Sequence, residues 1–279
     1  MPFFRYEGSR LAYTVYGEGP RTCVLVHGLL LSQKMHRPLA RALAQRGNRV
    51  VTLDLLGHGR SDRPRDMTRY SMPFFGQQMI ALLDHLEVDE AVLGGTSLGA
   101  NATLEAAVHA PERVRGMVVE MPVLDNALLG CAIAFTPLMV ALSFGEPIMR
   151  LVARGARQIP TGAGPLLAEV GLDTIRQEPG PSAAVLHGLF FGRTAPHKAL
   201  RRTLAAPTLV IGHQRDPIHP FSDSDALVAE LPNATLVQAS SILELRLRPE
   251  RLTVEIGDFL DTCWTARRRG GASRTRRVA

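Results

Sequence analysis

The chain is short of cysteine, of lysine and of clustered metal ligands, and each shortage closes off a class of protein. Three cysteines, Cys23, Cys131 and Cys263, stand among 279 residues. They are too few and too scattered for a disulfide framework or a zinc site, and a reducing compartment is the natural reading. No apolar run of signal-peptide length opens the sequence, so export is not expected and a cytoplasmic location is. No ligand cluster or phosphate-cradling loop stands out, and Gly94-Gly95 lacks dinucleotide spacing, so neither a metal nor an organic cofactor is expected. Charged residues are 21% of the chain against 46% hydrophobic, which excludes intrinsic disorder for the body. A chain of this length buries roughly three-quarters of its unfolded surface and needs no disulfide or metal staple.

What is present begins with charge. The net charge is +6. Residues 265–279 hold Arg267, Arg268, Arg269, Arg274, Arg276 and Arg277 and no acid. With those six set aside, 26 basic residues face 26 acidic ones, so the body is neutral. The tail is expected to be disordered. It has no aromatic residue to stack on bases, so a nucleic-acid partner is not expected. Salt-sensitive binding lost on deleting the tail would mark the opposite case.

Along the first 120 residues short apolar runs alternate with longer amphipathic ones. Strands are predicted at 11–16, 22–26, 49–53, 91–94 and 114–120, with helices at 35–46, 72–86 and 98–109. The alternation resumes with strands at 207–211 and 235–238 and helices at 223–231 and 249–262. Strands alternating with helices imply parallel pairing and a doubly wound, mostly parallel α/β sheet. Between them residues 123–200 read as an apolar helical insertion cut by seven prolines, from Pro137 to Pro196. The core is therefore assigned to 1–122 and 201–264, a helical cap to 123–200 and the basic tail to 265–279. Residues 127–145 carry no charge, about the length that spans a bilayer. Pro137, Thr136, Ser143 and two glycines interrupt that run, so an apolar layer packed over the sheet is expected rather than a membrane span.

Three loops carry candidate chemistry. Gly95-Thr96-Ser97-Leu98-Gly99 joins a predicted strand to a helix. In that context Gly-x-Ser-x-Gly is a tight turn that projects a serine hydroxyl away from the sheet, at a helix N-terminus whose free N–H groups favour a developing oxyanion. The pattern alone is weak; the strand–turn–helix setting raises it. His27-Gly28 follows the 22–26 strand, and in an acyl-transfer site the oxyanion donors are expected to be Leu98 N–H, after the nucleophile, and Leu29 N–H from this loop. His27 itself reads as a residue that shapes the turn. Asp54-Leu55-Leu56-Gly57-His58-Gly59-Arg60-Ser61-Asp62 follows the next strand, and Asp54 and Ser61 read as structural.

Together these segments resemble the α/β-hydrolase fold superfamily, in its serine esterase, lipase and C–C hydrolase branch. His-Gly, Asp-x-x-Gly-x-Gly-x-Ser and Gly-x-Ser-x-Gly follow successive strands in that family's order. The resemblance covers most of residues 3–262 and implies the fold, a nucleophile at Ser97 and an acid at Asp216, in the loop after the strand that follows the insertion. Asp125 is the alternative acid. Relatives that open epoxides or remove halides use Asp at the nucleophile position, so Ser97 argues against those activities.

The resemblance breaks at the base. The family's histidine follows the last strand, but residues 239–248 there contain none, and Ile242 or Glu244 stands in its place. No histidine follows His219. His219, three residues past Asp216, is the leading candidate base; His213, His27, His187, His197 and a Glu244 raised by burial are the others. Arg246 and Arg248 read as a solvated face, with binding of an acidic substrate as the alternative. The expected activity is hydrolysis of an ester, thioester or lactone of an apolar small molecule. A lyase or isomerase step, or a non-catalytic binding module of the same fold, stands beside it.

Overall fold

A computed structural model describes residues 2–160 and 164–265. The basic tail lies outside the described residues except for Thr265. The sheet has eight strands: β1 (Phe3–Tyr6), β2 (Ser9–Tyr16), β3 (Arg21–Val26), β4 (Asn48–Leu53), β5 (Ala91–Thr96), β6 (Val114–Glu120), β7 (Thr208–His213) and β8 (Ala234–Ala239). Their spatial order is β1-β2-β4-β3-β5-β6-β7-β8. β1 and β2 are antiparallel to their neighbours, and every pairing from β4 to β8 is parallel.

β1 lies outside the strands that the sequence pattern predicts. It forms a hairpin with β2 through Glu7 and Gly8, whose φ values of 47° and 74° make the two-residue turn that matches strand twist. Glu-Gly is a weaker turn signal than Asn-Gly, which is why the hairpin is hard to read from sequence.

The helices of the core are α1 (Arg37–Gln45), α2 (Met72–His85), α3 (Leu98–His109), α9 (Phe221–Glu230), the short α10 (Glu244–Leu247) and α11 (Glu250–Thr265). Alternating strand residues divide the core into two layers, as period-two geometry requires. Val24, Val26 and Leu93 join a cluster with Phe75 and Met79 of α2, Leu104 of α3 and Leu227 of α9. Cys23, Leu25 and Val92 join Leu39 and Leu43 of α1 and Leu252, Ile256 and Leu260 of α11 on the opposite face. Strand order reverses between β3 and β5, so a crevice opens beyond their carboxyl ends, where ligands bind in doubly wound sheets.

Between β6 and β7 lie α4 (Leu128–Phe144), α5 (Glu146–Arg157), α6 (Leu166–Ile175), α7 (Pro179–Phe190) and the short α8 (Lys198–Arg201). Three prolines of this stretch mark helix starts: Pro147 is the second residue of α5, Pro165 precedes α6 and Pro179 begins α7. Pro137 was expected to interrupt its run, yet α4 continues through it. Residues Asp125–Phe144 are long and apolar enough to cross a membrane by length and composition, with a mean hydropathy of 2.1. The inner side of α4, Phe135, Leu138 and Met139, packs against the core. Its outer stripe is not packed: Leu129, Ile133, Val140 and Phe144 are 46–85% exposed. The core thus covers one side of α4 and leaves the other open.

Candidate active site

The turn after β5 is strained in the way a projecting serine requires. Ser97 has φ 54° and ψ −109°, a backbone state that costs about 1–3 kcal/mol and persists only when its surroundings impose it. Ser97 N–H donates to Glu120 O at 2.8 Å, and its carbonyl accepts from Asn101 N–H at 3.0 Å. The flanking glycines are required by contact. A Cβ on Gly95 would lie 2.4 Å from the Gly99 carbonyl carbon, and one on Gly99 would lie 2.2 Å from Val26 O.

The loop after β7 supplies two more side chains. Asp216 Oδ1 accepts from Ile218 N–H at 2.9 Å and His219 N–H at 3.0 Å, which folds the loop back on itself. That fold leaves His219 Nδ1 2.9 Å from Asp216 Oδ2, and His219 Nε2 2.9 Å from Ser97 Oγ. The carboxylate accepts from Nδ1–H, so Nε2 is left as the acceptor for the serine hydroxyl. Burial works against ionisation of Asp216, but the hydrogen bonds from His219 and Ile218 outweigh it and hold the pKa below the ordinary carboxylate value. Leu29 and Leu98 N–H donate to no protein acceptor among the described residues, and both residues line the space around Ser97.

None of the other candidate bases hydrogen-bonds to Ser97 among the described residues. His27 is fully buried, with Nδ1 donating to Gly28 O at 2.8 Å and Nε2 accepting from Leu55 N–H at 3.1 Å. Burial lowers its pKa, and its role is to tie two loops together. His213 donates through Nδ1 to Ser241 O at 2.8 Å. His187 sits on α7 and His197 precedes α8; neither borders the cavities at Ser97. A Glu244 base is excluded by its partners: Arg251 pairs with it at 2.8 Å, and Ser240 N–H and Oγ–H donate to it. Burial raises its pKa, but those partners outweigh it, so the group is held ionised rather than poised to take a proton. Ile242 is exposed at the rim. Asp125 is exposed; the buried acid at that end is Asp223.

Asp54 is structural, as its sequence context indicates. It accepts from Gln33 N–H at 2.7 Å, Gln33 Nε2 at 2.8 Å and Arg60 N–H at 3.0 Å, while Ser61 Oγ donates to Asp54 O. Arg246 does not lie on a solvated face: its side chain is 8% exposed and pairs with Glu120 Oε2 at 2.8 Å. The α10 turn carries it inward beside Leu245. Residues that sequence reasoning missed include Glu120, an acid at the end of an apolar strand, and Asn101. Asn101 Nδ2 donates to Val123 O at 2.8 Å and Thr194 O at 2.6 Å, so it ties α3 to both ends of the insertion. Among the described residues no three His, Cys, Asp or Glu side chains converge as metal ligands would.

His36 anchors the loop that carries Leu29, through Nε2 donating to Val26 O at 2.9 Å. Burial, reinforced by the Arg246 charge, pushes its pKa down to about 3 from 6.5. Between those values the unfolded chain binds the extra proton, so stability rises with pH across that window and falls as pH drops below about 6.5. His36→Gln keeps a donor for Val26 O without a titrating ring. Its Tm is expected to fall less than the wild type's between pH 7 and pH 4.5. An equal fall in both would remove His36 as the cause.

Ser97 stands where two cavities meet. One, of about 270 Å³, runs under α4 and α7 past Leu98, Phe135, Met139 and Leu186. The other, of about 260 Å³, runs toward α6 and α10 past His219, Val170, Leu243 and Arg246. Leu29, Ser97 and Phe135 border both.

Comparison with known proteins agrees with this architecture. Residues 22–136 match the alpha/beta hydrolase fold family. Over 110 residues the chain is 36% identical to bifunctional epoxide hydrolase 2 of Mus musculus, a match covering 39% of this chain and 20% of that protein. The chain thus spans about a fifth of the length of that relative. The enol-lactonase of Burkholderia xenovorans LB400 superposes with a TM-score of 0.74 at 21% identity, covering 93% of this chain and 100% of its own. A thermophilic esterase of Thermogutta terrifontis gives 0.72 at 21%, covering 94% and 97%.

Proposed function

Taking the chain as a member of the α/β-hydrolase fold superfamily, we propose that it hydrolyses an ester, thioester or lactone of a small, largely apolar molecule through a serine nucleophile. The hydrogen-bonded run Ser97 Oγ, His219 Nε2, His219 Nδ1, Asp216 Oδ2 carries this reading. His219 takes the serine proton as Oγ attacks the carbonyl carbon, and Asp216 stabilises the imidazolium that forms. The N–H groups of Leu29 and Leu98 receive the oxyanion. The tetrahedral adduct collapses with transfer of the His219 proton to the departing oxygen or sulfur. His219 then draws a proton from water as its oxygen attacks the acyl carbon, and returns that proton to Ser97 Oγ as the carbon–Oγ bond breaks and the acid leaves.

The base here comes from the acid's own loop, three residues on, rather than from the loop after β8. The match to an epoxide hydrolase does not carry over as an activity, because epoxide-opening relatives use a carboxylate where this chain has Ser97. A fluorophosphonate probe read by intact mass tests the proposal. The wild type is expected to gain one adduct at Ser97 and the Ser97→Ala protein none. Equal labelling of the two proteins would end the serine-nucleophile reading.

A further inference from the structure

We propose that Arg246 binds an anionic group of the substrate, a carboxylate or its equivalent, so that the molecule turned over is apolar on one side of its scissile carbonyl and acidic on the other. The inference rests on the serine-hydrolase reading of Ser97 and names the substrate class for that site.

Arg246 has five N–H donors. One nitrogen, Nη2, donates to Glu120 Oε2 and Thr96 Oγ1, each at 2.8 Å. Nε and Nη1 have no protein acceptor among the described residues. Burying a guanidinium is costly, and these two nitrogens are not sealed in the fold but stay open to the cavity. The Glu120 pair offsets the charge but uses only one edge of the group. The rest lines the cavity of about 260 Å³ that also holds Ser97 and His219. Apart from Thr96, Ser97, His219 and Arg246, that cavity is walled by glycine and apolar side chains. A cation placed with open donors in an apolar recess, beside a nucleophile, is arranged to receive an anion rather than water alone.

The two cavities differ in this respect. No charged side chain lines the cavity under α4, whereas the one toward α10 contains Arg246. A substrate spanning both sets its carbonyl at Ser97, its apolar part under α4 and its anion at Arg246. Glu120 keeps the guanidinium in place through the pair that also receives Thr96 Oγ–H at 2.5 Å, the residue just before the nucleophile.

The test uses the full chain and two matched pairs of esters. Mono-4-nitrophenyl glutarate against 4-nitrophenyl pentanoate places the anion on the acyl side. 3-Carboxyphenyl butanoate against phenyl butanoate places it on the leaving side. The wild type is expected to favour the acidic member of one pair by at least about tenfold in kcat/KM, mainly through KM. Arg246→Met is expected to erase that preference and Arg246→Lys to retain part of it. Fluorophosphonate labelling at Ser97 runs in parallel as a neutral readout of nucleophile and fold. A wild type that labels at Ser97 but prefers neither acidic ester overturns the subsite while the serine reading stands, and that result needs no variant to fold. A preference that survives in a labelling-competent Arg246→Met overturns it equally. A wild type that labels nowhere takes down the serine reading and the subsite with it.

Discussion

Replacing Ser97 with Ala is expected to lower kcat on any ester the wild type cleaves by about 10⁴–10⁶, and His219→Ala to lower it by a similar factor, with the double variant no worse than either. The non-additivity is the informative part. Ser97 Oγ and His219 Nε2 lie 2.9 Å apart and act on one proton, so removing either leaves the other without a partner. Asp216→Asn is expected to cost less, about 10³–10⁴, since the ring keeps its place but loses the carboxylate that fixes its tautomer. Steady-state kinetics on one chromogenic ester decides it. His219→Ala retaining turnover within tenfold of wild type would show that the proton goes elsewhere. Effects of Ser97→Ala and His219→Ala that multiply would show that the two do not work as a pair.

The largest stability effect is expected at Asp223. Its carboxylate is completely buried and accepts three backbone N–H groups, from Leu124 at 2.7 Å, Asn126 at 3.1 Å and Ala127 at 3.1 Å. These bonds join the first turn of α9 to the segment that leads into α4. Asp223→Ala strands Leu124 N–H in the interior and takes the carboxylate from Asn126 N–H at the surface and from Ala127 N–H, which keeps Leu124 O at 3.3 Å, a loss of about 3 kcal/mol. Asp223→Asn keeps an acceptor oxygen and is expected to lose about half as much. Urea unfolding at pH 7 measures both. The alanine protein is also expected to show a raised KM, because residues 124–127 set the position of the helix that covers the apolar cavity. A loss under about 1 kcal/mol would show that water reaches the stranded groups and that the clamp is not structural.

Much of the fold is legible in the chain because its signals are local. The predicted strand at 22–26 is β3 within one residue, and 114–120 is β6 without change. Period-two burial and period-3.6 burial are properties of short segments, so no distant partner is needed to see them. The serine turn is legible for the same reason: Gly95 and Gly99 flank Ser97 and point to a close backbone approach. The hairpin of β1 escapes because its turn chemistry is weak. The exposed stripe of α4 escapes because hydrophobicity says nothing about which side is covered.

Arg246 shows where local reading stops. Leu243-Glu244-Leu245-Arg246-Leu247-Arg248 alternates apolar and charged residues like a half-exposed strand. The chain instead turns helical at 244–247, and Arg246 meets Glu120, 126 positions away. Charge pairing in an interior depends on which segments tertiary packing brings together, and no spacing within one segment encodes it.

The sequence by itself therefore determined the doubly wound sheet, the strained serine and the neutrality of the body once the arginine tail is set aside. It also narrowed the missing base, since no histidine follows His219 and that residue shares a loop with Asp216. Only the tertiary structure decided that His219 faces Ser97 while His27 and His213 face inward, and that Glu244 is pinned by Arg251. The physical reason is range. Backbone geometry and apolar periodicity act over a few residues, whereas a proton relay, a buried ion pair and the two walls of a cavity exist only where distant loops meet at the carboxyl edge of the sheet.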